Sequence, residues 1–180
     1  MILGLDVSTS ITGATILDEN GSIVLCEGWD TRNKNRYEDL FDKADYLRFE
    51  MWKLGQYHKI KKIYIEQSLQ SFRSGFSSAQ TLSTLSRFNG IVSWLCYKNF
   101  KIKPEYIAAT SARKLCGIKV SKGEKAKEVV LKYLLDNEPT FDIEYTKHGN
   151  PKPGSYDKAD SIVIARAGYI LCQNSKSSTS

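Results

Sequence analysis

Four carboxylates in this chain are placed where they could do chemistry together. Asp6 closes the apolar run Ile2-Leu3-Gly4-Leu5, and Glu66 closes a second run, Ile63-Tyr64-Ile65. Asp157 and Asp160 stand three apart at the start of a segment that is apolar through its middle, so on a helix both project from one face of the first turn. An acid at a strand end is often just a solvated loop residue, and acids in a first helical turn suit the helix dipole without further purpose. Their combination says more. If the two strand ends are neighbours, the acids repel unless a proton or a cation sits between them. Four oxygen donors, with no Cys or His placed to join them, favour Mg²⁺ or Mn²⁺ over zinc.

The remaining ionisable groups narrow the choice. Cys26, Cys96, Cys116 and Cys172 include no CxxC pair, and His58 and His148 lie near none of them in sequence. A zinc site or disulfide framework is therefore not expected. The net charge of +6 is concentrated: ten Lys and Arg between Lys98 and Lys132 face only Glu105, Glu124 and Glu128. Such a run suits either a solvated helix face or a surface that contacts phosphates. Lys119, Lys122 and Lys125, on a loop and at a helix start, are the candidate phosphate contacts. They would position a nucleic acid without reading its sequence.

Hydrophobic periodicity supplies the elements that must carry these groups. Strands are expected at Ile2 to Val7, Ile11 to Leu17 and Ser22 to Gly28, the last two joined through the turn signal Glu19-Asn20-Gly21. Helical spacing follows from Tyr37 to about Tyr57, then a strand from Lys61 to Glu66 and a polar loop from Ser68 to Ser78. A long helix runs from about Ala79 to Tyr97, and a short strand from Glu105 to Ala109. Next come a short helix to Cys116, capped by Thr110 or Ser111, a basic loop to Gly123 and a helix from Glu124 to Leu135. A Pro- and Gly-rich loop, expected to be mobile, spans Asn137 to Gly154. The last helix covers Tyr156 to Cys172, followed by a Ser-rich tail at 173–180 expected to be disordered. The expected architecture is α/β, with residues 1–172 as a single domain. A three-strand antiparallel meander and two parallel strands form a mixed five-stranded sheet with helices on both faces.

The motifs identify a family. Gly4-Leu5-Asp6-Val7-Ser8-Thr9-Ser10-Ile11-Thr12-Gly13 resembles the first motif of RuvC-type Holliday junction resolvases, members of the ribonuclease H-like superfamily. Ile65-Glu66-Gln67 is similar to their second motif. Asp157-Lys158-Ala159-Asp160, running into Ser161-Ile162-Val163-Ile164-Ala165, resembles their last, in which an acidic pair opens the final helix. Lys122-Gly123-Glu124-Lys125-Ala126-Lys127 resembles the segment before their penultimate helix, so the likeness runs from residue 2 to about 170.

That resemblance implies a ribonuclease H-like fold and a divalent-metal-dependent endonuclease that resolves four-way junctions by paired nicks. Asp6 would bridge two ions, Glu66 would hold one, and Asp160 with Asp157 the other; some members carry His where Asp157 stands. Two ions roughly 4 Å apart can clamp a phosphodiester, one activating water and the other steadying the leaving oxygen. It also implies branched DNA as partner and a homodimer to cut opposed strands. No stretch approaches the roughly 18 consecutive apolar residues that span a bilayer, and the start lacks the positive charge of a signal peptide, so an intracellular, cytoplasmic protein is expected. Family members stack an aromatic on a base near the junction centre, usually three residues after the Glu, where this chain has Leu69. Phe72, Arg73 and Phe76 are therefore the candidate DNA contacts in that loop, with Phe72 as the wedge. Two other readings stay open: an actin-like or sugar-kinase-type ATP-binding half-domain, whose phosphate hairpin Asp6-x-x-Thr9-Ser10-x-x-Gly13 resembles, and a ribonuclease H acting on RNA–DNA hybrids.

Overall fold

The computed structural model describes residues 1–67 and 79–177, with the side chains of 176 and 177 left aside. β1 (Ile2–Asp6) and β2 (Ile11–Leu17) are buried along their whole length, as their apolar runs require. β3 (Ile23–Asp30) is the edge strand and mixes buried with exposed positions. The turn before it needs Gly21, whose φ is +84°, and Asp18 Oδ1 accepts hydrogen bonds from the Asn20 and Ser22 amides. β4 (Lys62–Glu66) pairs parallel with β1, and β5 (Glu105–Ile107) pairs parallel with β4. The sheet order is β3-β2-β1-β4-β5, the meander plus two parallel strands.

Helices cover both faces. α1 (Leu40–Tyr57) and α2 (Ala79–Phe100) close one core around Leu3, Leu5, Ile16, Ile63, Ile65, Leu47, Met51 and Phe88. α3 (Ala109–Leu115), α4 (Ala126–Asn137) and α5 (Ser155–Ser177) close the other, around Tyr64, Leu131, Leu134, Ile162 and Val163. Each fully buried Leu or Ile contributes about 1.5–3 kcal/mol. Among the described residues no helix is long and apolar enough to cross a membrane.

Several boundaries differ from expectation for local reasons. α1 starts at Leu40 because Asp39 and Asp42 form a capping box there, and Tyr37 instead packs its ring 5.3 Å from that of Tyr46. α3 begins at Ala109 without a side-chain cap, so Thr110 and Ser111 lie inside it; the strand ends at Ile107 and the Ala108 carbonyl already accepts from Ala112 N. The segment expected to be a mobile loop is tied down. Phe141 and Ile143 are buried, and backbone bonds join Thr146 to Asn150 and Lys152 to Glu144. α5 continues past Cys172 to Ser177, taking up the first residues of the expected tail, with Ser175 Oγ donating to the Leu171 carbonyl.

Candidate active site

The strand pairing puts Asp6 and Glu66 side by side. β1 and β4 are parallel neighbours, with Leu5 opposite Ile65, and each strand ends on its acid. On the other side Asp6 pairs with Gly13 of β2. Gly13 matters because α5 rests directly on it: a Cβ there would stand 1.9 Å from the Asp157 carbonyl oxygen. Gly4 allows the same approach farther along, where a Cβ would come within 2.5 Å of Ala165 N. Thr15 Oγ1 and Ser161 Oγ, 2.7 Å apart, lock the register between helix and sheet. The first turns of α5 therefore lie against the end of β1, and Asp157 and Asp160 join Asp6 and Glu66. The turn after Asp6 is fixed by Thr31 Oγ1, donating to the Thr9 and Ser10 carbonyls, and by Lys43 Nζ, donating to Thr9 O.

The electrostatics are those of crowded, desolvated anions. Burial, reinforced by Glu66, Asp160 and Asp157, holds the Asp6 carboxyl well above the usual range. Burial and then Asp160 push Glu66 up to about 7. Asp157 and Asp160 are raised as well, again by burial, with Asp157 adding to the shift of Asp160. Lys127 opposes the rise at all four acids, and Arg113 does so at Glu66 and Asp160. For Lys127 itself burial pulls downward, but Asp160, Asp6, Asp157 and Glu66 outweigh it and the net shift is upward.

An acid whose folded-state pKa is raised favours folding in its protonated form. Glu66 thus adds stability that is fully present below its ordinary value of 4.5 and lost as pH rises through about 7. Melting in EDTA should show Tm falling from about pH 5 to about pH 8, and a divalent cation should recover most of the loss. A Tm that climbs over this range in EDTA would contradict the crowded-anion description.

The donor set fits a hard divalent cation: four carboxylates, three of them raised by one another's charge as well as by burial. Among the described residues no three such groups are already drawn into a ligand cluster. Unbridged anions repel, so a closed ring of carboxylates is not expected without a cation between them.

Asn89, beside the acids, carries no local signal in the sequence. Asn89 on α2 is buried; its Nδ2 donates to Glu66 O (3.3 Å) and its Oδ1 has no partner among the described residues. Arg113 lines a basic cavity of about 300 Å³ with Lys114 and Lys119. Lys122 is exposed, and Lys125, at the N-cap of α4, is paired with Glu128 at 2.9 Å. Phe72, Arg73 and Phe76 lie outside the described residues.

The chain resembles solved structures over nearly its full length. Thermus thermophilus RuvC in complex with a Holliday junction substrate matches with a TM-score of 0.66 at 12% identity, over 96% of this chain and 94% of that one. The fold is that of RuvC. A second Thermus thermophilus RuvC structure gives 0.63 at 14% identity, over 97% and 96% of the two chains. The yeast mitochondrial Holliday junction resolvase Ydc2 gives 0.62 at 16%, over 98% and 80%. The mixed sheet and its two helical layers are thus the ribonuclease H-like arrangement. No family model matches the chain, and no curated protein matches it in sequence.

Proposed function

We propose that this chain is a divalent-metal-dependent endonuclease that resolves four-way DNA junctions by paired nicks. The observation that carries the reading is the gathering of Asp6, Glu66, Asp157 and Asp160 at one end of a RuvC-like sheet, each desolvated and raised in pKa. Mg²⁺ or Mn²⁺, two ions per site, would be held by these acids and would supply water activation and leaving-group stabilisation. The protein's own part is to bury the acids, orient them from two strands and a helix, and surround them with cations. Lys119, Lys122 and Lys125, joined by Arg113 and Lys114, supply the phosphate-contacting rim, and Phe72, Arg73 and Phe76 the contacts at the junction centre. The solved RuvC complex with a Holliday junction supports branched DNA as the substrate class.

The test is a substrate panel. Labelled four-way junction, linear duplex and RNA–DNA hybrid are incubated with Mg²⁺, Mn²⁺ or EDTA. The reading expects metal-dependent paired nicks confined to the junction. Cleavage of the hybrid alone would move the chain to the ribonucleases, and ATP turnover without nicking to the actin-like class.

Cutting two opposed strands needs two sites, hence a homodimer. A groove of about 850 Å³ between α1 and α2 suits a second copy: Phe41 and Trp94, 76% and 58% exposed, stand beside Gly90, over which a Cβ would meet none of the described residues within 4 Å. Asp42 and Asp45 share this face with Arg48 and Arg87, so it carries both signs, as a surface that pairs with itself requires. Trp94→Asp should shift the protein to monomer by analytical ultracentrifugation, with paired nicks replaced by uncoupled single nicks. An unchanged dimer would remove this face from the account.

A further inference from the structure

The carboxylate cluster brings a cation of its own. Lys127 is the second residue of α4, and its Nζ lies 3.6 Å from Asp160 Oδ2. The side chain reaches in from solvent: it is 62% exposed, whereas that of Asp160 is 12% exposed. Its charge acts on Asp6, Glu66, Asp157 and Asp160 alike, while Arg113 acts on Glu66 and Asp160 and Arg32 on Asp157.

Local structure does not explain a lysine here. The first turn of a helix carries the positive end of the dipole, which disfavours a cation. Lys125, just ahead, meets this by pairing with Glu128 of the same turn at 2.9 Å. Lys127 instead crosses to another helix, to an acid beside the two strand ends. At 3.6 Å the contact is longer than a direct hydrogen bond, so the ammonium neutralises the cluster without being locked to one oxygen. A lysine is suited to this, being a compact charge on a flexible four-carbon stem.

We propose that Lys127 is the exchangeable counter-ion of the carboxylate cluster, neutralising it in the metal-free protein and competing with divalent cations for it. The proposal rests on the reading that these acids hold metal. It assigns Lys127 two opposite effects. The ammonium steadies four crowded anions when nothing else does, and it repels a divalent ion that comes to the same oxygens. It also has somewhere to go, because 62% of its side chain is open to solvent.

The test is Mn²⁺ titration of the full chain and of Lys127→Met and Lys127→Arg, with free Mn²⁺ counted by electron paramagnetic resonance, alongside melting in EDTA. Removing one positive charge beside the site should tighten Mn²⁺ binding by about tenfold, equivalent to about 1.4 kcal/mol. The same Lys127→Met chain should melt several degrees lower in EDTA, and Lys127→Arg should track the parent in both measurements. Equal or weaker Mn²⁺ binding by Lys127→Met overturns the proposal, as does a Lys127→Arg chain that behaves like Lys127→Met, since charge would then not be the cause. If the parent chain itself binds no Mn²⁺, the nuclease reading fails. If it binds Mn²⁺ and Lys127→Met binds no better, only the role of Lys127 falls.

Discussion

Asp6→Asn is expected to lower single-turnover junction cleavage by at least about a thousand-fold while leaving junction binding intact, the loss of several kcal/mol of metal-derived stabilisation. Asp6 ends the central strand and has Glu66, Asp160 and Asp157 as charged neighbours, so it is the acid around which the site is organised. The amide has nearly the same shape, and the proposed phosphate contacts at Lys119 and Lys122 are untouched. A third consequence separates this account from simple damage. Burial and the neighbouring acids hold the Asp6 carboxyl well above its usual range, so its charge disfavours the metal-free fold near neutral pH. Asp6→Asn should therefore raise Tm in EDTA at about pH 8 and abolish the further rise that Mn²⁺ gives the parent. Cleavage gels, mobility shifts in EDTA and a thermal melt check the three parts. Lost junction binding or a lowered Tm in EDTA would count against the assignment.

Among the described glycines, Gly13 gives an added methyl its closest contact, and Gly13→Ala should be strongly damaging. The added Cβ would stand 1.9 Å from the Asp157 carbonyl oxygen, 2.5 Å from its carbonyl carbon and 3.0 Å from Ser161 Cβ. The first two are helix backbone, which cannot turn aside as a side-chain tip can, so α5 must lift from the sheet. Overpacking of this kind costs about 1–3 kcal/mol, sometimes more. Because Gly13 pairs with Asp6, the displaced turn is the one that brings Asp157 to the cluster. Activity and Mn²⁺ affinity should thus fall further than the stability loss explains, even well below the melting temperature. Gly55→Ala is the control: its Cβ would meet Phe100 at an ordinary 3.5 Å, and the gain in helix propensity should leave stability equal or slightly higher. Wild-type Mn²⁺ affinity in a folded Gly13→Ala chain would show that the close approach does not position the acids.

What could be read in advance followed from local pattern. Leu3, Leu5, Ile63 and Ile65 mark two buried strands, and an acid at the end of each is visible without any structure. Asp157 and Asp160 are conspicuous because the helix after them is apolar through its middle. That the strands are neighbours, and that α5 lies across them, needs tertiary information that only the likeness of the motifs to a known family supplied. Lys127 was hidden for the same reason. Within a run of lysines it reads as one more solvated charge, and its partner Asp160 lies on another helix. Asn89 was hidden because an amide inside a helix has no signature until Glu66 is seen beside it. Gly4 and Gly13 look like ordinary strand glycines until α5 is placed against them. The start of α3 is not legible in the sequence because no side chain caps it and backbone bonds alone begin it.

Metal-dependent cleavage requires the four acids to close on divalent cations, and diffraction tests that most directly. Crystals soaked in Mn²⁺ should show anomalous density enclosed by carboxylate oxygens of Asp6, Glu66 and Asp160, with Asp157 alongside. Manganese bound only elsewhere, or none at millimolar concentration with the acids ordered and apart, would contradict it.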